Sequence, residues 1–221
     1  MRIQYIGHAG FRVELGGLVI FIDPLFSDEF GGRKLDVKPA WKPSDVKQCD
    51  LIFITHEHTD HCDKQGVQEI VERTFCQVVA PKPALQMLSI SERNKVDVHL
   101  GDAFELKGLS VEAVKAVHPQ STYPVGFIIK HGKESLYHAG DTYEFADMMK
   151  FSADVAMVPI GGSFTMDPFD ASKAVNEMKA NYVIPMHYNT FDKIRQDPKE
   201  FASDVKHAKV LVMDVGQELD I

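Results

Sequence analysis

Short apolar runs broken by Gly, Pro and charged turns recur along the whole chain and set its expected organisation. Their alternation predicts strands near residues 2–6, 11–15, 18–22 and 51–55, a helix near 63–74 and a strand at 77–80. Further strands are expected near 96–100, 109–117, 125–130 and 135–139. Helices near 143–151, 170–179 and 198–207 should then alternate with strands at 154–159, 182–186 and 209–213, Asp170 reading as the N-cap of the helix it opens. The pattern by itself specifies an α/β fold. No linker, low-complexity stretch or solenoid repeat interrupts it, so residues 1–221 are expected to form one domain. The stretch from Pro24 to Pro43 stands apart. It is long and irregular, with Phe26, Phe30 and Trp41 set among Arg33, Lys34, Lys38 and Lys42. It reads either as a flap suited to an anionic organic ligand or as a solvated surface loop.

The densest chemistry follows the apolar run Leu51-Ile52-Phe53-Ile54, where His56-Glu57-His58-Thr59-Asp60-His61 places three imidazoles and a carboxylate in one short segment. Side chains alternate along an extended segment, so His56 and His58 leave the strand end on the same side and can share one metal ion. Asp60 and His61 begin the next turn and can point at a second. Imidazole and carboxylate donors suit zinc, and manganese or iron accept the same set. A lone His is more often structural, but three further strands end in residues of the same kind. The strand over 111–117 delivers His118 ahead of Pro119, the one near 135–139 delivers Asp141 after Gly140, and the one over 182–186 delivers His187. The carboxyl ends of strands are where an open α/β sheet presents its chemistry.

In that order, the motifs His56-x-His58-x-Asp60-His61, then His118, Gly140-Asp141-Thr142 and Pro185-Met186-His187 resemble the metallo-β-lactamase superfamily. The likeness is to its single-domain metal-dependent hydrolases, a branch similar to L-ascorbate-6-phosphate lactonases. It extends through Tyr5-Ile6-Gly7-His8-Ala9-Gly10-Phe11, Ile22-Asp23-Pro24 and Pro159-Ile160-Gly161-Gly162-Ser163-Phe164. The resemblance implies a four-layer αβ/βα sandwich and two divalent metal ions. His56, His58 and His118 would hold the first ion and Asp60, His61 and His187 the second, with Asp141 bridging. It further implies hydrolysis by a metal-bridging hydroxide, with Asp60 as the group that orients it or takes its proton. Two divalent ions set against Asp60, Asp141 and one hydroxide leave a centre near +1, which favours a small anionic or carbonyl-bearing substrate such as an ester, lactone or phosphodiester.

Neighbouring residues carry two readings each. Asp23 is either a strand-end carboxylate that stabilises its turn or an acceptor for the N–H of a ligating His. His8 is placed in the cleft, His138 in the structure around it. Cys62, next to His61, reads as a small buried apolar residue with a minor option of reaching the metals. The Gly161–Met166 turn resembles a phosphate cradle only weakly, since it matches neither nucleotide-binding glycine pattern.

With 221 residues, 44% apolar and 25% charged, the chain can close a sizeable core without disulfides. Its net charge of −8 opposes nucleic acid as a partner, because that binding relies on basic residues. No apolar run is long enough to span a membrane, and Met1 to Ile6 enters a strand pattern without a leader-like segment. Cys49, Cys62 and Cys76 are an odd number without disulfide-like spacing, so a cytoplasmic setting is expected. The resemblance also allows a homo-oligomer. Two other functions compete with the hydrolase. One is a di-iron redox centre of the flavodiiron type, which shares the fold but places Glu where this chain has His58 and carries a fused flavin domain. The other is a metal-binding interaction protein that has lost catalysis.

Overall fold

The computed structural model describes residues 1–221 and folds the apolar runs into two seven-stranded mixed sheets. In the N-terminal half, β1 (Arg2–Gly7), β2 (Gly10–Leu15), β3 (Leu18–Ile22), a small hairpin of β4 (Glu29–Phe30) and β5 (Arg33–Lys34), and β6 (Leu51–Phe53) are followed by α1 (Lys64–Thr74), β7 (Gln77–Ala80), α2 (Lys82–Met87) and β8 (Lys95–Asp97). The C-terminal half contains β9 (Ala103–Leu106), β10 (Leu109–Lys115), β11 (Val125–His131), β12 (Glu134–His138), β13 (Ser152–Pro159), α3 (Pro168–Glu177), β14 (Lys179–Met186), α4 (Pro198–Asp204), β15 (Lys209–Val210) and β16 (Glu218–Asp220).

The first sheet runs β16-β1-β2-β3-β6-β7-β8 and the second β15-β14-β13-β12-β11-β10-β9. Each is antiparallel in one part and parallel in the other. The period-two pattern sorts side chains between layers. Ile20, Ile22, Leu51, Phe53 and Val79 face the second sheet, where Val111, Phe127 and Leu136 meet them. Val19, Phe21, Ile52 and Val78 face outward and are covered by Val67, Ile70 and Val71 of α1 and Leu85 of α2. The helix α3 buries Ala171, Ala174 and Val175, and α4 buries Phe201, on the other side. The α/β sandwich is thus the expected one. No helix is long and apolar enough to cross a membrane.

The strand directions explain where the chemistry collects. Because β1 and β3 are both antiparallel to β2, and β6 is parallel to β3, the carboxyl ends of β1, β3 and β6 share one end of the sandwich. By the same logic β10, β12 and β14 end together in the second sheet. His8, Asp23, His56, His118, Asp141 and His187 each follow one of these six strands.

Several expected elements differ. The segment expected as a helix over 143–151 is a 3-10 turn at Ala146–Lys150, which has no side-chain N-cap and buries only Met148, too little to hold a longer helix. Asp167, not Asp170, caps α3: its side chain accepts the Asp170 N–H, and Pro168 occupies the first turn. The short helix α2 is an addition to the expected elements: it starts after Pro81 with Pro83 in its first turn, where proline is tolerated. The strands expected at 96–100 and 209–213 close early, at Asp97 and Val210. The edge strands β9 and β16 are half exposed and lack an apolar run to announce them.

Candidate metal centre

The His-rich segment is a turn fixed from behind by one carboxylate. Asp23 follows β3 and is fully buried. Its Oδ1 accepts the Thr55 N–H at 2.7 Å, while Oδ2 accepts the Thr55 hydroxyl at 2.6 Å and the His61 Nδ1–H at 2.8 Å. Thr55 Oγ1 in turn lies 3.0 Å from His56 Nδ1. Since that hydroxyl donates to Asp23, it accepts from His56 and leaves His56 Nε2 with a free lone pair. The turn closes with the His61 and Cys62 N–H groups donating to the His58 carbonyl. Asp63 then caps α1 through the Gly66 N–H and also accepts the N–H groups of Phe26 and Ser27.

The second sheet delivers its residues through matching ties. Thr142 Oγ1 accepts the Val117 N–H at 2.9 Å, and the Tyr143 N–H donates to the Val117 carbonyl at 2.8 Å, so the segments bearing His118 and Asp141 are stitched together. Glu57 points away from the centre and accepts from the Ser121 hydroxyl at 2.8 Å and the Thr122 N–H at 2.6 Å. Partial burial would raise its carboxyl, but these hydrogen bonds hold it below the usual range. The His187 N–H donates to the His8 carbonyl at 2.7 Å, joining the two sheets at the site. His8, Asp23 and His187 all have positive φ, at 57°, 43° and 58°. Non-glycine residues seldom adopt that conformation, and it clusters where surrounding contacts over-determine a functional geometry.

The donors converge in two groups, each within 4.8 Å: His56, His58, His118 and Asp141, and His8, Asp60, His61 and His187. His58 Nε2 lies 3.1 Å from the Gln120 carbonyl and donates to it. Its Nδ1 therefore faces His56 Nε2 at 3.0 Å and His118 Nε2 at 3.3 Å. Asp141 reaches both groups, with Oδ1 3.2 Å from His61 Nε2 and Oδ2 3.3 Å from His187 Nε2 and 3.7 Å from His118 Nε2. His61 Nε2, His187 Nε2 and Asp141 Oδ1 are buried without a hydrogen-bond partner. Buried polar atoms are rarely left so unless an ion or water completes them. The donor set, imidazole and carboxylate with the outer nitrogens of His56, His58 and His61 already hydrogen-bonded, fits divalent transition metals.

Electrostatics separate the two sides of the centre. Burial pushes His56 well below its ordinary value, assisted by the charge on His61, and lowers His118 as well. His61 goes the other way: burial opposes its charge, but Asp141 and Asp23 raise it well above the ordinary range. Burial would also raise Asp141, yet His187 and His61 hold it well below the carboxylate range. Asp60 is kept low by the His8 hydrogen bond and by His61, against the effect of burial.

All seven sequence-nominated donors come together, and His8 joins the second group, with Nε2 3.2 Å from Asp60 Oδ2 and Nδ1 2.7 Å from Thr190 Oγ1. His138 is structural in its contacts: Nε2 lies 2.9 Å from the Ala9 carbonyl, and Nδ1 accepts the Gly140 N–H. Cys62 packs in the apolar layer beneath α1, where burial pushes its thiol up to about 12, and it belongs to neither donor group. Of the 24–43 segment only Phe30 and Arg33 line the 220 Å³ cavity over the donors. Trp41 instead donates to Gln4 and sits under the Arg12 guanidinium, and Phe26 is buried beside α1. Sequence reasoning missed Thr55, Glu57 and Thr190; a hydroxyl or carboxylate beside a His carries no periodic signal.

Comparison with known proteins agrees with this geometry. The family model described as a β-lactamase superfamily domain matches residues 2–187. A UPF0173 metal-dependent hydrolase of Thermococcus kodakarensis is 37% identical over 235 residues, covering all of both chains. The structure of Igni18, a metallo hydrolase from Ignicoccus hospitalis, superposes with a TM-score of 0.83 at 33% identity, covering 99% of this chain and 97% of that one. The diiron β-hydroxylase CmlA of Streptomyces venezuelae superposes with a TM-score of 0.78 over all of this chain and 54% of its own; at 15% identity it shares the fold alone.

Proposed function

The chain belongs to the β-lactamase superfamily, among its metal-dependent hydrolases, and from that membership we propose that it is a dinuclear enzyme acting on a small ester, lactone or phosphodiester. His56, His58 and His118 would hold one ion and Asp60, His61 and His187 the other, with Asp141 between them. Zinc is the first choice, and manganese or iron suit the same donors. Two divalent ions there would lower the pKa of coordinated water from about 15.7 towards about 7 and stabilise the entering and departing oxygens.

The protein's own part is positioning. Asp23 and Thr55 fix the tautomers of His61 and His56, and the Gln120 carbonyl fixes that of His58. Asp60 is half-buried at the cavity wall, and His8 holds one of its oxygens in place. That leaves Asp60 as the carboxylate best placed to orient the nucleophilic water or accept its proton. The cavity above is small, so the substrate is a small molecule or the end of a larger one. The resemblance to the ascorbate-phosphate lactonase-like branch adds a lactone to the open ester among the small substrates of this size class.

The observation that carries this reading is the set of buried, unpartnered ligand atoms on His61, His187 and Asp141. The test is metal analysis of protein purified without added metal, with a panel of lactones, phosphodiesters, thioesters and β-lactams assayed before and after chelation. About two zinc or manganese ions per chain with chelator-sensitive turnover is the expected result. Two irons with oxygen consumption and no hydrolysis would replace it with redox chemistry on the same fold. Bound metal without any turnover would leave a metal-binding interaction protein.

A further inference from the structure

The β4–β5 hairpin carries the one cleft-lining cation that no carboxylate occupies. Phe30 and Arg33 are cross-strand partners, joined by Gly31 and Gly32, both at positive φ, 54° and 72°. Two consecutive positive φ values make the tight two-residue hairpin turn that matches strand twist, and glycine adopts it without strain. Directly paired residues project from the same face of a hairpin, so the turn sets Phe30 and Arg33 side by side. The next pair, Glu29 with Lys34, alternates to the opposite face.

The hairpin's base is pinned to both halves of the site. The Leu35 N–H donates to the Asp28 carbonyl, and the Asp36 N–H donates to the carbonyl of Thr190, the residue whose hydroxyl meets His8. Asp63 holds the Phe26 and Ser27 amides on the other flank. Arg33 is therefore delivered to the cavity by an anchored element.

Its surroundings identify what it awaits. The guanidinium lies 4.4 Å from the Phe191 ring centroid and 5.9 Å from that of Phe30, and these two rings meet edge to face at 5.7 Å. Arg2, Arg12, Arg73 and Arg195 all have carboxylate partners, whereas Arg33 and Arg93 have neither an ion pair nor a hydrogen bond, and of these two only Arg33 lines the cavity. A guanidinium can stack one face on an aromatic ring while its N–H edge stays free for a planar or tetrahedral oxyanion.

We propose that Arg33 is the specificity-determining residue of this site: it binds an oxyanion on the substrate, carboxylate or phosphate, separate from the bond that is cleaved. Phe30 and Phe191 form the wall against which the body joining the two groups packs. The proposal rests on the hydrolase reading for the cleaved bond, while recognition of the anion stands on the hairpin alone.

The test uses protein as purified, wild type and Arg33→Gln. Arg33 is solvent-exposed, so the substitution leaves the packed core intact. Calorimetric titration with 3-hydroxybenzoate, 3-hydroxyphenyl phosphate and phenol should show the anions binding the wild type more tightly than phenol does. Arg33→Gln should weaken the better anion by about tenfold, the scale of one charge-assisted contact. Whichever anion binds more tightly names the oxyanion. In the matching hydrolysis assay, the kcat/KM preference for 3-acetoxybenzoate or 3-acetoxyphenyl phosphate over phenyl acetate should fall by about tenfold in the variant, chiefly through KM. Unchanged anion affinity in Arg33→Gln would overturn the proposal, whether or not the esters are cleaved. Loss of affinity in the variant, with no ester cleaved by the wild type, would retain the anion site and remove the ester-hydrolase reading.

Discussion

Asp23 Oδ2 and His61 Nδ1 lie 2.8 Å apart, both fully buried, at the join between the first sheet and the metal-site turn. That carboxylate fixes which His61 nitrogen faces the centre. Asp23→Asn keeps the shape but removes the charge, and metal affinity should fall by about 10- to 100-fold, as for other partners of ligating imidazoles. Asp23→Ala should also strand the buried Thr55 N–H and lower stability by about 1–3 kcal/mol. Chelator competition and thermal unfolding read the two effects separately; wild-type affinity in Asp23→Asn would reduce Asp23 to a turn residue.

Asp141 belongs to the group of His56, His58 and His118 and reaches His61 and His187 of the other. Its oxygens lie 3.2–3.7 Å from His61, His187 and His118. Asp141→Ala should therefore lower metal content from two ions to at most one and cut turnover by about a thousandfold or more. His118→Ala should empty only the group built with His56 and His58. Elemental analysis of both variants decides this, and two ions with full activity in Asp141→Ala would sink the bridge.

Asp60 is expected to separate binding from chemistry. Asp60→Asn keeps an oxygen that can ligate and a partner for His8, so metal should be held better than turnover, which is predicted to fall by about 10²–10⁴-fold. Equal losses of metal and of activity would make Asp60 a ligand only.

Much of this centre was legible because its donors end apolar strands, and strand ends are marked by Gly, Pro and a change of period. Asp141 after Gly140 and His187 after Pro185-Met186 are of this kind. The place of His8 in the second donor group was not legible as such. It meets Asp60 across 52 positions and does so from a left-handed backbone that no propensity indicates. The β4–β5 hairpin was hidden for a different reason. Each strand is two residues long, too short for alternation to register, so the segment read as irregular while its Gly-Gly turn carried the signal. The lysines and Trp41 of that segment pointed the same way on paper, but Trp41 is committed to Gln4 and Arg12.

The metal-free protein should be acid-labile over a defined interval. Burial lowers His8 from 6.5 to about 4 and lowers His56, His118 and His138 in the same direction. Unfolding exposes all four to protonation near 6.5. Between that value and their folded values the unfolded chain binds more protons, so stability rises with pH there and is lost as pH falls from 6.5 towards 4. His61 has the opposite sign: its contribution is complete below 6.5 and is lost as pH rises through its raised value. Calorimetric melting of chelated protein between pH 4 and 6.5 should show a falling midpoint on acidification, and a flat profile would contradict the buried, neutral state of these histidines.

Gly140 ties the two sheets together through a contact that tolerates no side chain. Its φ is +60°, and a Cβ built there would stand 2.8 Å from Thr55 Cβ and 2.9 Å from Thr55 Oγ1. Thr55 is the residue whose amide and hydroxyl hold Asp23, and through it His61. Gly140→Ala should thus act twice, through a left-handed alanine costing about 1–2 kcal/mol and through a shift of Thr55 that loosens the donors on both sides. Gly132 supplies the control, because its φ is +59° and nothing lies within 4 Å of its Cβ position. Gly132→Ala should carry the backbone cost alone and keep wild-type metal affinity, while Gly140→Ala should be less stable than Gly132→Ala and bind metal more weakly. Denaturant unfolding of both variants, with chelator competition, measures the difference; equal behaviour would show that the Thr55 contact does not hold the centre in place.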